Sequence, residues 1–284
     1  MHLRRRFEQT IEYLRRCKQA IEYGYFLLTG KRPWTRGYHF YREKKIVEAI
    51  TKGLFNSGRL GKNYGWRLDD RIIEYPWLFS VLPPSPGKLL DAGSALNHDF
   101  LLSLEPLSAK KIFIATLEFE GICFCRRGIS HIFEDLRQCC YRDDYFDYVV
   151  SISTIEHIGL DNTFLYTNDE SKRENDIDSH LLAIRECKRV LKPGKCLYLT
   201  LPFGRHKNHG WLQVFDSKML DRAIQEFAPA QITEAHFRYE PEGWRPSSRE
   251  ESKDCTYFDI QTQKNYAPDF AAASRGIVCL ELVK

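Results

Sequence analysis

The feature that most constrains the fold is an alternation, from residue 88 onward, of short apolar segments with segments of helical periodicity. Strands are predicted at residues 88–91, 111–117, 145–153, 196–201, 232–239 and 276–283. Helices are predicted at residues 99–107, 180–191 and 217–227, and a type II turn at residues 192–194. Apolar strands that alternate with helices favour a parallel sheet covered on both faces. The sequence therefore predicts an α/β fold.

A break rich in proline separates this region from the residues before it. The three prolines among residues 83–87 end any helix or strand that reaches them. Upstream, residues 2–28 and residues 43–54 place apolar side chains at helical spacing. This segment is too short to enclose a core of its own. We therefore expect an N-terminal helical extension at residues 1–82 and one α/β domain at residues 83–284.

Composition argues against several classes of protein. Of the 284 residues, 42 are Lys or Arg and 38 are Asp or Glu, so the formal net charge is +4. A dedicated nucleic-acid binder usually has a stronger basic bias, so we expect no nucleic-acid partner. No run of about 18 apolar residues is present, so we expect no membrane-spanning segment. The charged N-terminal residues are followed by no apolar stretch, so we expect no cleaved secretory signal.

The nine cysteines indicate a reducing compartment. Neither Cys123 with Cys125 nor the adjacent pair Cys139 and Cys140 has the spacing of a zinc site. We therefore expect reduced, mostly buried thiols in a cytoplasmic protein, and no bound metal.

The helix predicted at residues 2–28 has two interpretations. Its polar face is basic, and a basic amphipathic helix can lie on an anionic membrane surface. Interspersed glutamates weaken that attraction and favour a helix packed on the domain. Weak contact with a membrane surface stays open as the alternative. The basic residues that would make it are Arg4, Arg5, Arg6, Arg15 and Arg16.

The loop after the first predicted strand is a candidate binding loop. In open parallel sheets, ligands bind at the carboxyl ends of the strands. Gly93 follows Asp91 at that position, and a glycine lets the backbone turn tightly and approach a ligand. The next residue, Ser94, is small enough to keep that approach open. Ala95 and Asn97 stand where the three-glycine dinucleotide fingerprint would have further glycines.

Acidic side chains follow later along the chain. Glu118 comes directly after the second predicted strand, residues 111–117, and can accept two hydrogen bonds from ribose hydroxyls. It lies 27 residues after Asp91, more than the usual separation of about 20. Asp135 precedes the next predicted strand and can accept a hydrogen bond from an adenine amino group. These positions suit a nucleotide-like ligand.

The loop after the first strand, the acid after the second, EDL at 134–136, and the segments at 146–158 and 185–204 occur in this order along the chain. Taken together, they resemble the class I S-adenosylmethionine-dependent methyltransferases over roughly residues 87–284. The resemblance is strongest in FDYVVS at 146–151, in the pair Glu156 and His157, and in RVLKPG at 189–194. The chain looks most like the branch that has a type 11 methyltransferase domain and acts on small molecules. The resemblance implies a Rossmann-like sheet, mostly parallel with a late antiparallel strand, and S-adenosylmethionine as the cofactor.

The resemblance also implies which side chains contact the cofactor. They run from its methionine end past the ribose to the adenine, and two serines lie beside the bound molecule. In that order they are Asp91, Gly93 and Ser94 at the methionine, Glu118 at the ribose, Asp135 and Leu136 at the adenine, and Ser151 and Ser153 beside it. The family has a glycine-rich loop here, and this chain has Ala95 and Asn97 at positions where the family has glycines.

The resemblance implies an enzyme that moves a methyl group to an oxygen or nitrogen of a small acceptor, such as a sugar or glycan precursor. In-line displacement needs the acceptor held close to the methyl group, and an alcohol acceptor also gains from a general base. His157 is the candidate base, and Glu156 either orients it or caps a helix. In the alternative interpretation, this pair only opens a helix and packs against the cofactor.

Two polar segments flank the candidate site. Residues 161–179 form a long acidic segment, which is either a lid or recognition element, or a surface insert. Its acidity argues against a phosphate backbone as substrate. In the second segment, His206 and His209 lack a nearby cysteine or carboxylate that would complete a metal site. His209 is a candidate substrate contact or alternative base.

Two other functions stay open on this sequence. A chain with the reduced loop after Gly93 could keep the fold as a non-catalytic, methyltransferase-like binding or scaffolding protein. The basic N-terminal helix could place a protein of either kind at a membrane surface.

Overall fold

The first strand of the sheet is buried on both faces, which suits a central position. The computed structural model describes residues 17–56, 60–167, 169–263, 267, 269, 271 and 273–284. In it this strand is β1, Gly87–Ala92, and its last four residues are buried. The other strands are β2 (Lys110–Thr116), β3 (Ser130–Phe133), β4 (Phe146–Ile152), β5 (Leu191–Pro202), β6 (Lys207–Asn208), β7 (Gln213–Val214), β8 (Gln231–Glu240), β9 (Gly243–Ser247), β10 (Tyr257–Phe258), β11 (Ala273–Ser274) and β12 (Gly276–Val283).

Helices flank the sheet and connect several of its strands. Residues 17–28 are helical and are labelled α1. The further helices are α2 (Tyr38–Thr51), α3 (Arg71–Val81), α4 (Asp99–Leu102), α5 (Thr163–Tyr166), α6 (His180–Val190), α7 (Ser217–Phe227) and α8 (Arg249–Ser252). Within the described residues, no helix is long and apolar enough to cross a bilayer.

Eight strands form one sheet in the order β3-β2-β1-β4-β5-β12-β8-β9. Strands β1 to β5 pair in parallel. Strand β12 is antiparallel to both β5 and β8, and β9 is antiparallel to β8. This mostly parallel sheet with a late antiparallel strand confirms the Rossmann-like, class I methyltransferase fold that the resemblance implied. It also brings the carboxyl ends of β1, β2 and β4 to one edge, where ligands bind in such sheets.

Alternate residues of each strand enter two separate cores, as the twofold period of a strand requires. Leu89 of β1 packs in a core with Phe26 and Ile72, which belong to α1 and α3. Leu90 packs on the opposite face in a core with Ile184 of α6. The helices before residue 83 therefore cover one face of the sheet, and α6 and α7 cover the other.

The described part of the N-terminal extension is joined to the sheet by apolar burial. Phe26, Tyr38, Ile46, Ile73 and Leu78 have no exposed surface. Burying each large apolar side chain stabilises the fold by roughly 1.5–3 kcal/mol. The division at residue 82 stays a prediction, because the two parts share one core.

Several element bounds differ from those predicted. Helix α4 ends at Leu102 instead of residue 107, since Pro106 disfavours helical backbone at the residue before it. Helix α2 begins at Tyr38, five residues before the predicted segment. The turn predicted at 192–194 lies inside β5, where Gly194 has φ +71° and the register to β4 shifts. Strands β3 and β9 were not predicted.

All nine cysteines lie in the described part of the chain, and they are free thiols there. Burial is less general than expected. Four cysteines are buried, and Cys123, Cys125 and Cys140 are exposed. These three lie in the segments that follow β2 and β3.

Candidate functional site

The loops that follow β1 and β4 meet at Gly93 and Thr154. Gly93 has φ +117°, a conformation that favours glycine. A Cβ atom on Gly93 would lie 2.2 Å from Oγ1 of Thr154. No side chain fits there, so a glycine is required where the two loops approach each other.

Two cavities open on either side of this contact, and Gly93 and Thr154 line both. The first, here called the polar cavity, has a volume of about 420 Å³. Its lining includes Arg42, Arg71, Ser94, Asn97, Glu120 and Ser153. The second, here called the lid cavity, has a volume of about 220 Å³. Its lining includes Leu117, Asp135, Leu136, His157, Tyr166 and Glu174.

The Asp91 side chain stabilises the loop that follows β1. Its Oδ2 accepts a hydrogen bond from the Leu96 amide at 2.8 Å, which fixes the turn after β1. Oδ1 is buried and has no hydrogen-bond partner in the described part of the protein. Burial raises the pKa of Asp91 to about 7. The predicted contact between Asp91 and the cofactor stays a prediction, because Asp91 lines neither cavity.

Ser94 lines the polar cavity and joins the loop after β1 to an acidic side chain, Glu120. Ser94 adopts the left-handed region with φ +62°. Its hydroxyl donates a hydrogen bond to Oε2 of Glu120 at 2.7 Å, and Nδ2 of Asn97 donates to the same oxygen at 2.7 Å. Glu120 is the acid beside this loop, and the predicted contact of Glu118 with the ribose stays a prediction. Glu118 lines neither cavity.

The signal for Glu120 was present in the sequence. Glu118 and Glu120 both follow β2, and the choice between them depends on how the chain turns after the strand. Glu118 lies near Tyr166, whose pKa is raised by burial, then by Glu174 and Asp161 and, to a smaller extent, by Glu118.

Asp135 and Leu136 both line the lid cavity, and their predicted contact with an adenine stays a prediction. Leu136 is buried. The Asp135 carboxylate accepts hydrogen bonds from Nε of Arg137 at 3.0 Å and from its amide at 2.8 Å. Burial opposes ionisation of Asp135, but these bonds lower its pKa. Asp135 is thus held as a carboxylate with one partner already in place.

The two serines of β4 and its following loop have different surroundings. Ser151 is fully buried, and its hydroxyl donates to the carbonyl oxygen of Ala92 at 3.0 Å. It lines neither cavity, so its predicted place beside the cofactor stays a prediction. Ser153 lines the polar cavity, and its hydroxyl donates to Glu74 of α3. Ser153 has φ +40°, an uncommon conformation for a residue other than glycine.

Glu156 and His157 lie in a single 3-10 turn directly after this loop. Nδ1 of His157 lies 2.9 Å from the Trp211 carbonyl oxygen, so this nitrogen must carry the proton and donate. Nε2 lies 3.9 Å from Oε1 of Glu156. Burial lowers the pKa of His157 to about 4, against the opposing effect of the Trp211 contact. Burial raises the pKa of Glu156 well above its ordinary value.

Sequence reasoning missed the contribution of the extension to the site. Arg42 of α2 and Arg71 and Tyr75 of α3 line the polar cavity. Arg71 pairs with Glu74 at 2.6 Å, and Arg42 pairs with Asp69. Both arginines lie far upstream of the strands, and only the packing of the extension on the sheet brings them to this edge. A possible signal was Glu74, a charged residue inside the apolar run at 72–79.

The acidic segment at 161–179 forms part of the wall of the lid cavity. Tyr166 and Glu174 of this segment line the cavity, and Glu174 accepts a hydrogen bond from Arg137 at 2.5 Å. The Asp176 amide donates to the Gly159 carbonyl at 2.7 Å. This position beside a cavity favours a lid or recognition element over a surface insert. Residue 168 lies outside the described residues.

The remaining predicted features lie apart from the cavities. Nδ1 of His206 contacts the Val214 carbonyl at 3.0 Å, and Nδ1 of His209 lies 3.3 Å from Asp259. In the described ranges, no group of three potential metal ligands comes together. The five arginines of the predicted membrane-contact face lie at residues 4–16, outside the described residues.

Comparison with known proteins gives remote structural likenesses. No family model matches the chain, and no curated protein matches it. A methyltransferase from Thermotoga maritima that depends on S-adenosylmethionine is 13% identical, with a TM-score of 0.46, covering 85% of this chain and 98% of its own. The 1,6-didemethyltoxoflavin-N1-methyltransferase of Burkholderia thailandensis, solved with S-adenosylhomocysteine, is 11% identical, with a TM-score of 0.43, covering 89% and 92%. At these identities, residue roles are not transferred from those proteins to this chain.

Proposed function

We propose that this protein is an S-adenosylmethionine-dependent methyltransferase that acts on an oxygen or nitrogen of a small acceptor. The observation that carries the proposal is the pair of cavities that meet at Gly93 and Thr154, at the carboxyl ends of β1 and β4. A close backbone approach between two chemically different cavities suits a ligand with a nucleoside at one end and an amino acid at the other.

The lid cavity suits the adenosine end of the cofactor. Leu117 and Leu136 give it apolar walls, and Asp135 offers a hydrogen-bond acceptor. Tyr166 and Glu174 of the acidic segment form part of its wall.

The polar cavity suits the methionine end, which carries an ammonium and a carboxylate. Glu120 offers a carboxylate for the ammonium, and the guanidinium of Arg71 offers donors for the carboxylate. Nη1 of Arg71 donates to Glu74 at 2.6 Å, and this contact fixes the guanidinium at the wall of the cavity. The unpartnered buried oxygens of Asp91 and Asn97 lie under the same loop.

Glu156 and His157 are the side chains proposed to handle the proton that the acceptor loses. When bound, S-adenosylmethionine supplies the methyl group as a sulfonium. Burial makes Glu156 a stronger base than an ordinary carboxylate and makes His157 a weaker base than an ordinary imidazole. We therefore assign proton acceptance to Glu156. His157 is a positioning residue, oriented by its Trp211 contact.

Calorimetric titration of the folded protein with S-adenosylhomocysteine tests the proposal. We expect one binding site per chain. Gly93→Val should abolish binding, because a side chain collides with Thr154. Gly61→Val is the matched control, since no atom lies within 4 Å of a Cβ at Gly61. Absence of binding to the folded wild-type protein would contradict the proposal.

The alternative of a non-catalytic binding or scaffolding protein has one observation in its favour. Several polar groups that could serve a cofactor already have partners inside the protein: Ser94 with Glu120, Ser153 with Glu74, and Asp135 with Arg137. Binding of the cofactor without turnover across a broad set of acceptors would favour this alternative. A cytoplasmic location and a sugar or glycan acceptor also stay predictions.

A further inference from the structure

A third cavity, here called the extension cavity, lies between the N-terminal extension and the turn that joins β8 to β9. Its volume of about 550 Å³ exceeds that of the polar cavity or the lid cavity, and it is of the size that small-molecule sites have. It shares no lining residue with either of them. Its lining includes Lys31, Tyr41, Lys45, Trp66, Ile72 and Glu242.

The ammonium group of Lys31 lies over the faces of two aromatic rings of this cavity. Its Nζ is 5.4 Å from the ring centre of Tyr41 and 5.6 Å from that of Trp66, close enough for each ring face to attract a cation. Among the residues that the structure describes, no carboxylate forms an ion pair with this nitrogen. The cavity wall therefore holds a positive charge beside two rings, without an anion of the described chain against it.

The backbone holds Lys31 in place shortly after α1. Its φ is +55°, a conformation uncommon for a residue other than glycine, and its amide donates a hydrogen bond to the carbonyl oxygen of Phe26 at 3.1 Å. The Arg67 guanidinium donates to the carbonyl oxygen of Gly30 and lies 4.3 Å from the ring centre of Trp66. These contacts join the segment that carries Lys31 to the loop that carries Trp66, so a ligand would meet a preorganised pair.

The loop that carries Trp66 is also anchored to a helix and to the sheet. The Tyr64 hydroxyl donates to the carbonyl oxygen of Ile72 in α3 at 2.7 Å. The amide of Trp244 in β9 donates to the carbonyl oxygen of Tyr64 at 2.8 Å. Both bonds act within two residues of Trp66, so its ring has a defined position in the cavity wall.

Positive charge exceeds negative charge around the cavity. Lys45 pairs with Glu48 at 2.7 Å, and Lys52 pairs with the same carboxylate at 2.6 Å. One glutamate thus balances two lysines, and Lys31 adds a third positive charge. The other carboxylate of the lining, Glu242, is exposed on the turn after β8. An anion is therefore the ligand that the charged groups of this wall favour.

We propose that the extension cavity binds a small aromatic carboxylate, whose ring packs against Tyr41 and Trp66 and whose carboxylate pairs with Lys31. Aromatic rings attract one another in offset and edge-to-face arrangements, beyond the effect of burying their area. A carboxylate that meets an ammonium forms a charge-assisted hydrogen bond, which is stronger than a neutral one. A neutral ring would leave Lys31 without an anion, and an anion without a ring would gain nothing from the aromatic walls.

Calorimetry on the full chain tests the proposal with benzoate, phenylacetate and indole-3-acetate, each measured beside its primary amide. The amide keeps the ring and removes the charge. We expect at least one carboxylate to bind about tenfold or more tightly than its amide, the size of effect that a charge-assisted hydrogen bond gives. Lys31→Gln should reduce that preference to about threefold or less, and Lys31→Arg should keep it. Thermal unfolding checks that both variants fold.

Lys111→Gln is the matched control. Lys111 is an exposed lysine of β2 whose Nζ lies 5.4 Å from the ring centre of Phe113, and it does not line the extension cavity. This variant should keep the preference for the carboxylate. Loss of the preference in Lys111→Gln would indicate general attraction to a positive protein and would overturn the proposal.

Three further outcomes would overturn the proposal. The first is a wild-type protein that prefers no carboxylate over its amide, and the second is a preference that survives Lys31→Gln. The third is displacement of the bound carboxylate by an equal concentration of inorganic phosphate, because the site would then recognise charge without the ring. Saturating S-adenosylhomocysteine should leave the affinity for the carboxylate unchanged. Displacement by it would place the carboxylate in the polar or lid cavity and would equally contradict the proposal.

Discussion

Glu74 of helix α3 accepts a hydrogen bond from the Thr200 hydroxyl of β5 at 2.6 Å, across 126 positions of the chain. The same carboxylate accepts bonds from Ser153 after β4 and from Arg71 in its own helix. The fully buried Glu74 side chain therefore connects the N-terminal extension to the carboxyl ends of β4 and β5. Arg71, which lines the polar cavity, is held in place by the same contact.

Glu74→Ala should destabilise the protein strongly. The substitution leaves Arg71 without its partner and removes the acceptor of two hydroxyl groups. Removing one member of a buried ion pair typically costs about 3–5 kcal/mol, and we expect a loss of that order in urea unfolding. Glu48→Ala on α2 is the control, since Glu48 pairs with the exposed Lys45 and Lys52 and should change stability by less than about 1 kcal/mol. Equal losses in the two variants would contradict the role assigned to Glu74.

Asp91 should make stability depend on pH. Because burial raises its pKa to about 7, the protonated side chain contributes stability that is fully present near pH 4 and is lost as the pH rises through 7. Asp91→Asn keeps an acceptor for the Leu96 amide but cannot ionise. From pH 4 to pH 8, its free energy of unfolding should therefore rise relative to wild type by at most about 4 kcal/mol. A difference that stays constant over this range would show that Asp91 ionises normally.

Glu174→Ala should loosen the lid without unfolding the protein. The Arg137–Glu174 pair is partly exposed, so its loss should change stability by no more than about 1 kcal/mol. The dissociation rate of S-adenosylhomocysteine, measured by stopped flow, should rise by about three- to tenfold. Glu170→Ala in the same segment is the control, because Glu170 does not line the lid cavity. A dissociation rate equal to that of the wild-type protein would show that the Arg137–Glu174 contact does not help to retain the ligand.

His157 should stay neutral across the physiological range. Burial lowers its pKa to about 4, so the unfolded chain takes up a proton first. The stability that the neutral ring contributes is present above about pH 6.5 and is lost as the pH falls through 4. In a nuclear magnetic resonance titration, the imidazole signals, assigned with His157→Asn, should not move between pH 5 and pH 8. A midpoint near pH 6.5 would restore His157 as a candidate general base.

The sheet was largely predictable because its strands carry a strong local signal. Helix α7 and strand β12 have the bounds predicted for them. In α7, Asp216 accepts a bond from the Met219 amide and so marks the helix start. Strand β3 was missed because its four residues, Ser130–Phe133, are half-exposed and only partly apolar. A short edge strand has little periodicity to detect.

The site was predictable where it follows a predicted strand or matches the family pattern. Gly93 and Ser94 follow the first predicted strand, and Asp135 and Leu136 were assigned by the resemblance; all four line the cavities. Arg71 and the other cavity residues of the extension carry no such signal, because tertiary packing brings them to the edge. Burial also reversed the expected order of basicity of Glu156 and His157, which depends on the surroundings of each group.

The position of β12 in the sheet has a consequence for how the chain folds as it is made. Strand β12 lies between β5 and β8, yet it is the last of the eight strands to be synthesised. Until residues 276–283 emerge, β5 and β8 each present an unpaired edge, a template for pairing with other chains. The nascent protein should therefore be most prone to aggregation after β8 and β9 have emerged and before β12 has, and the insertion of β12 ends that interval.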